Sequence, residues 1–204
     1  MLHYIESANK YIKHGNNALN ITDDAINLVE FIKNEMENEN GVGNILDIGA
    51  GIGTLTIMLS NVEQFNKFIC IEIQEEVFNL LEENIFINKM SNVDIFNEDI
   101  KNMMTIKFKN KFRYIMSNPP YLKMNSGKLP ENEILKKSKF EVCLNLSELL
   151  DVVDYMLMED GVFFVILPMY RLKEIEKNKK FKIRKIKKIL NSKKSFVILS
   201  LERK

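Results

Sequence analysis

Asn118-Pro119-Pro120-Tyr121 sets an amide, two rings without a backbone N–H and a planar aromatic at four consecutive positions. The run follows Phe112-Arg113-Tyr114-Ile115-Met116-Ser117, which is apolar enough to read as a buried strand. Two prolines end such a strand, because neither supplies the donor that a sheet ladder needs. Asn118 and the Pro119 carbonyl are thereby presented at the strand's C-terminal edge, where open α/β sheets bind ligands. An amide oxygen and a stiff neighbouring carbonyl are two acceptors suited to an exocyclic NH2, and Tyr121 follows where it can stack on the ring bearing that amine. A plain proline turn ending a core strand is the competing reading for the prolines taken alone.

A second constellation lies at Asn44-Ile45-Leu46-Asp47-Ile48-Gly49-Ala50-Gly51-Ile52-Gly53, a strand running into a glycine-rich loop. Glycines allow a tight turn and let a ligand approach the backbone with no Cβ in the way. The spacing is GxGxG, one residue short of the GxGxxG that holds a pyrophosphate. A carboxylate directly before the loop, Asp47, disfavours a diphosphate and suits a ligand carrying an ammonium or sulfonium. Glu72 ends the next strand nineteen residues after Gly53, close to the offset at which an acid meets ribose hydroxyls. Asp99, in Asn97-Glu98-Asp99-Ile100, follows the third strand and could accept from an adenine amino group. Each acid alone reads as a solvated loop carboxylate; at successive strand ends they point to a nucleoside site.

These residues need a sheet to bring them to one edge, and the apolar pattern supplies one. Thr22 reads as a helix N-cap, with Asp23 and Asp24 at the positive end of the helix dipole and Ala25, Leu28, Val29, Ile32 and Met36 at helical spacing. Strands at Asn44–Ile48, Lys67–Ile71, Val93–Phe96, Phe112–Ser117 and Val162–Leu167 alternate with helices from about Gly53 to Ser60, Gln74 to Lys89 and Leu146 to Met158. Asn145 and Glu148 are spaced as a capping box for the last of these. Ile183–Leu190 and Phe196–Leu201 form a closing pair. Alternation of this kind specifies a doubly wound α/β sheet with right-handed crossovers.

The chain is expected to be one domain over 1–204: a helical lead-in at 1–43, a polar, aperiodic substrate loop at 122–140 after the amine clamp, and a basic segment at 171–204 that closes the sheet. That last segment carries fourteen Lys and Arg against three Glu, a net of +11, while the rest of the chain carries −10. It reads equally as a phosphate-seeking surface and as a solvated lysine-rich tail. Cys70 and Cys143 have no zinc spacing, and Cys70 sits in an apolar strand as a small core residue. His3 and His14 leave no catalytic triad to build. Neither a signal peptide nor an apolar run of membrane-spanning length is evident, so the expectation is a cytoplasmic, metal-free monomer.

Asp47-Ile48-Gly49-Ala50-Gly51-Ile52-Gly53 and Asn118-Pro119-Pro120-Tyr121 together resemble the cofactor loop and (D/N)PP(Y/F) motif of class I S-adenosyl-L-methionine-dependent methyltransferases that modify amino groups. More narrowly, the chain is similar to bacterial tRNA (adenine-N6)-methyltransferases that act next to the valine tRNA anticodon. That similarity runs from about Asn16 to Pro168 and includes Ile21-Thr22-Asp23-Asp24-Ala25, Asn118 to Lys123, and Phe163-Phe164-Val165-Ile166-Leu167-Pro168. It implies a Rossmann-like, mostly parallel seven-stranded sheet with an antiparallel last strand, and S-adenosyl-L-methionine as cofactor. It assigns Asp24, Asp47, Gly49, Ala50, Gly51, Gly53, Glu72, Asp99, Ile100 and Asn118 to the cofactor. Asn118, Pro119 and Tyr121 are assigned to catalysis, Pro120, Tyr121 and Lys123 to substrate, and tRNA is implied as the partner.

The chain departs from that family at Lys139-Phe140-Glu141, where an Arg-His-Glu stretch is usual, and at Asn17-Ala18-Leu19-Asn20, where an aromatic and Arg are usual. Contacts to the target strand are expected to differ accordingly. Release-factor glutamine methyltransferases share the NPPY motif but carry a helical domain in front, whereas this chain has 44 residues before Ile45. The same motifs also admit a ribosomal RNA or DNA adenine methyltransferase, or a non-catalytic binding module that keeps the fold.

Overall fold

The computed structural model describes residues 1–15, 21–37, 39–120, 143–190 and 195–204. Tyr121, Lys123 and the expected substrate loop at 122–140 lie outside the described residues.

The lead-in opens as a hairpin and not as a helix. Strands β1 (Leu2–Ile5) and β2 (Lys10–Lys13) pair antiparallel through a 3-10 turn, and Asn9 takes a left-handed φ of 52° to close it. Alternation of Tyr4, Ile5, Tyr11 and Ile12 favours strand here, since aromatic and β-branched side chains fit a half-buried pleated surface. Ile5, Ala8 and Ile12 are buried in the core. Helix α1 (Asp23–Met36) then begins where its cap predicts, with Thr22 Oγ1 accepting from the Ala25 amide at 3.3 Å.

Seven strands form the main sheet: β3 (Gly43–Ile48), β4 (Phe65–Ile71), β5 (Val93–Phe96), β6 (Phe112–Ser117), β7 (Leu157–Pro168), β8 (Phe181–Leu190) and β9 (Ser195–Arg203). Their spatial order is β5-β4-β3-β6-β7-β9-β8. The first five are parallel, while β9 inserts antiparallel between β7 and β8. From β3 the chain moves outward to β4 and β5, then returns to β6 on the other side of β3. The order reverses at the β3–β6 boundary, so the crevice beyond their C-terminal ends is the expected ligand site.

Alternate side chains of these strands enter two cores. On one face, Ile45, Phe68, Cys70, Tyr114 and Phe164 pack against α1, α2 (Thr54–Met58), α3 (Glu75–Ile87) and the hairpin. On the other, Leu46, Ile69, Ile115, Phe163 and Val165 pack against α4 (Leu146–Met156). Several boundaries differ from the sequence reading, β7 most of all, which begins five residues before Val162. Helix α2 is a turn shorter than the span to Ser60. Helix α4 stops at Met156 instead of Met158, because β7 already pairs at Leu157↔Phe112. Strand β7 then shifts register, with Asp160 paired to the Arg113 guanidinium, before pairing resumes at Val162↔Tyr114. The capping box at Asn145 and Glu148 is formed in both directions. No helix among the described residues is long and apolar enough to cross a membrane.

Candidate active site

The glycine loop leaves β3 at Ile48 and is shaped by backbone that only glycine adopts readily. Gly49, Gly51 and Gly53 have φ of 70°, 59° and 88°. A Cβ built on Gly49 or Gly51 would meet nothing within 4 Å, whereas one on Gly53 would lie 2.8 Å from Leu81 Cδ1. The third glycine thus serves helix packing, and the first two border open space. The Gly49 and Ala50 amides donate to the Ile71 carbonyl at 2.9 and 3.0 Å, which fixes the loop against the end of β4.

Glu72 stands directly after β4, 5% exposed, and is tied into the same loop. Its Oε2 accepts from the Gly51 amide and its Oε1 from the Gln74 amide, both at 2.9 Å. Burial pushes its pKa up, and the amide bonds from Gln74 and Gly51 work against that rise. The Ile73 amide and the Gln74 side chain also bond to it and work in the same direction, so the carboxylate is held in place from the β4 end and the loop together. The Asn97 side chain donates to the Glu72 carbonyl at 2.8 Å and draws the β5 end to the β4 end.

Asp47 lies deeper than its place in the sequence suggests. Period-two alternation turns it, with Ile45, toward α2, and it is 1% exposed. Thr56 Oγ1 donates to Asp47 Oδ2 at 2.9 Å and lies 3.2 Å from Cys70 Sγ. Asp47 Oδ1 is buried with no hydrogen-bond partner among the described residues. Desolvation pushes the Asp47 carboxyl up to about 7, the Thr56 bond opposes the rise, and Glu72 adds to it. Burial pushes the Cys70 thiol up as well, as befits a core cysteine.

Asp99 caps the 3-10 turn Ile100–Met103, its Oδ1 accepting from the Lys101 amide at 2.9 Å. Lys101 Nζ lies 3.5 Å from Asp99 Oδ2 and donates to the Cys143 carbonyl at 2.9 Å. Ile100 is buried in the core facing α4. Asp24 is half-buried on the first turn of α1.

On the other side of the crevice, Ser117 ends β6 with its Oγ donating to the Ile48 carbonyl at 2.8 Å. Asn118 follows, half-buried, and its side chain makes no hydrogen bond among the described residues. Pro119 is buried, and with Pro120 it lines an apolar cleft against Leu144, Leu146 and Leu149 beside α4 and Leu167 of β7. The structure therefore brings the glycine loop, Glu72, Asp99 and Asn118 to one edge of the sheet. The sequence reading misses Thr56, Asn97 and Ser117, the polar side chains that lock this edge together. It also misses Asn84, whose Nδ2 donates to the Ile52 carbonyl of the loop at 2.9 Å. The one signal for it is an asparagine on the buried stripe of α3 between Leu81 and Ile85.

Half of the fourteen basic residues of the segment are paired, among the described residues, with acidic side chains of the same chain. Lys182 pairs with Glu202, Lys180 with Asp151 and Asp154, and Arg171 with Glu174. Lys185, Arg184 and Lys187 reach Glu35, Glu39 and Glu30 on and beyond α1. A register shift between Ile183 and Lys185 aims both Arg184 and Lys185 at that acidic flank. Among the described residues, Lys173, Lys177, Lys179 and Lys188 are exposed and take no acid partner.

The order of strands, the switch-point crevice and the GxGxG loop define a class I methyltransferase fold. T. thermophilus 16S rRNA N2 G1207 methyltransferase (RsmC), solved with AdoMet and guanosine, superposes over 100% of this chain and 50% of its own with a TM-score of 0.71 at 20% identity. The family model of the methyltransferase small domain matches residues 22–185, and the chain belongs to that family. The tRNA1(Val) (adenine(37)-N6)-methyltransferase of Escherichia fergusonii is 30% identical over 131 residues, 63% of this chain and 52% of the relative. The release factor glutamine methyltransferase of Fusobacterium nucleatum is 35% identical over 79 residues, 39% of this chain and 22% of the relative. The chain spans about half the length of the tRNA relative and about a fifth of the release-factor relative.

S-adenosyl-L-methionine is the cofactor of this site. The residues fit it: open space borders Gly49 and Gly51, and the buried Asp47 Oδ1, which has no hydrogen-bond partner among the described residues, would be complemented by a cationic ligand group.

Proposed function

We propose that this chain methylates an exocyclic amino nitrogen and that its substrate is adenine N6 in a tRNA. The observation that carries the reading is the Asn118 side chain, without a hydrogen bond among the described residues at the end of β6, while Ser117 beside it is tied to the strand that enters the glycine loop. The cofactor supplies an electrophilic methyl carbon on a sulfonium. Asn118 Oδ1 and the Pro119 carbonyl accept the two N–H bonds of the amine and turn its lone pair toward that carbon. Methyl transfer would place positive charge on that nitrogen, which these preorganised acceptors would stabilise. The surplus proton leaves along the Asn118 hydrogen bond to solvent. No strong base is needed, because alignment itself lowers much of the barrier.

Gly49, Ala50, Gly51, Gly53, Glu72, Asp99, Ile100 and Asp24 are assigned to holding the cofactor. Tyr121 is assigned to stacking on the base, and Pro120 and Lys123 to further substrate contact. A base in folded RNA must first be unstacked into the site. The exposed lysines without acid partners suit a phosphate backbone, and the longer match to the tRNA relative favours this substrate. Such an enzyme works in the cytoplasm as a monomer.

The match to release factor glutamine methyltransferases supports a second reading, since the same acceptors would hold a carboxamide NH2. Unmodified total tRNA and a release factor are offered separately with the cofactor, and the products are resolved by mass spectrometry. N6-methyladenosine in tRNA is the expected product; N5-methylglutamine alone would replace the first reading with the second.

A further inference from the structure

Asn84 on the buried stripe of α3 and Asn88, its C-cap, each use both amide N–H groups and the amide oxygen. Asn84, 0% exposed, accepts at Oδ1 from the Lys13 amide at 2.6 Å and donates from Nδ2 to the Lys13 carbonyl at 3.1 Å and the Ile52 carbonyl at 2.9 Å. Asn88 accepts from the Tyr11 amide at 2.8 Å and donates to the Tyr11 carbonyl at 2.6 Å and the Asn84 carbonyl at 2.7 Å. The geometry has a simple origin. Four residues along a helix rise about 6 Å, and two residues along a strand rise about 6.6 Å. Side chains at i and i+4, the last turn of α3 and its C-cap, therefore stand in for a missing strand against alternate residues of β2.

Only one of the two amides reaches the cofactor loop. Ile52 lies between Gly51 and Gly53, and the loop's other ties come from the Ile71 carbonyl and the Glu72 carboxylate on the β4 side. Asn84 holds the loop from the α3 side while its other two hydrogen bonds hold β2. Removing its carboxamide would leave the Ile52 carbonyl and both Lys13 backbone groups without these partners, in a setting where unmade bonds are costly.

We infer that the N-terminal hairpin braces the cofactor loop and that Asn84 is the positioning residue that couples them. Hairpin docking and cofactor binding are then linked, and linkage acts equally in both directions. The inference rests on the glycine loop as the cofactor site and is independent of which substrate is methylated.

Amide hydrogen exchange on the unmodified full chain tests this, with and without S-adenosylhomocysteine at a saturation fixed by calorimetry. The Gly51 and Gly53 amides report loop occupancy, while the Tyr11 and Lys13 amides report the hairpin. Slowing of Tyr11 and Lys13 together with the loop, by about threefold or more, is expected. Protection of Gly51 and Gly53 with Tyr11 and Lys13 unchanged would overturn the coupling. As a second readout, Asn84→Ala is expected to raise the S-adenosylhomocysteine Kd about tenfold, and Asn88→Ala, which keeps the Ile52 bond, less than about threefold. Equal effects of the two variants on Kd would reduce Asn84 to a packing role.

Discussion

Ser117 Oγ donates to the Ile48 carbonyl at 2.8 Å, so the last residue before Asn118 is fastened to the last residue before the glycine loop. Strand register alone sets β6 beside β3 only to Met116↔Asp47, and this side-chain bond extends the alignment by one step beyond the ladder.

Ser117→Ala should therefore cost more than a surface change. It leaves a buried carbonyl short of a donor, worth about 1–3 kcal/mol. Denaturant unfolding should show a loss in that range. Turnover should fall about tenfold, since small misalignments of reacting groups cost up to about a hundredfold. Unchanged turnover in a destabilised variant would detach this bond from catalysis.

The glycines of the loop divide by what surrounds them. Gly53→Ala puts a Cβ 2.8 Å from Leu81 at a φ of 88°, so it should lose about 1–3 kcal/mol of stability. Gly51→Ala shares the backbone strain but not the clash, and its Cβ enters the space bordering the loop. It should be the more stable of the two and the poorer binder of S-adenosylhomocysteine. Paired denaturation and calorimetry check the contrast; wild-type affinity in Gly51→Ala would contradict it.

Asp47 sets a pH dependence whose sign follows from its burial. Its carboxyl titrates near 7 in the folded chain against an ordinary 3.8, so the folded state keeps a proton that the unfolded chain has released. This group's contribution to stability is then greatest below an ordinary carboxylate pKa, declines as pH rises toward 7, and is constant above it. A cationic ligand group favours the ionised form, so S-adenosylhomocysteine affinity should rise with pH up to about 7. Thr56→Val removes the bond that favours the carboxylate, and the midpoint of that rise should move higher. Calorimetry across the range checks both; affinity flat between about pH 5 and 8 would show that Asp47 does not sense the cofactor.

The parts of this site that are legible in the sequence are those whose causes are local. Glycine spacing, two prolines after an apolar run, and the caps at Thr22 and Asn145 each act within a few residues, and the structure forms the strand ends and both caps where they are read. The docking of the hairpin is not legible, because Asn84 and Asn88 meet partners more than seventy residues away and read locally as polar interruptions of an apolar stripe. Asp47 is legible as a residue but not as a charge state, which depends on the packing of α2 above it. The lysines of β8 are legible as charge, while their acid partners on α1 emerge only when β8 takes the sheet edge.

The proposed function requires that Asn118 hold the amine and contribute little to holding the cofactor. Single-turnover methyl transfer by Asn118→Ala, measured beside its S-adenosylhomocysteine Kd, tests it most directly. A rate lower by about a hundredfold or more is expected, with Kd within about threefold of wild type. A rate near wild type, or a Kd that rises in step with the lost rate, would contradict it.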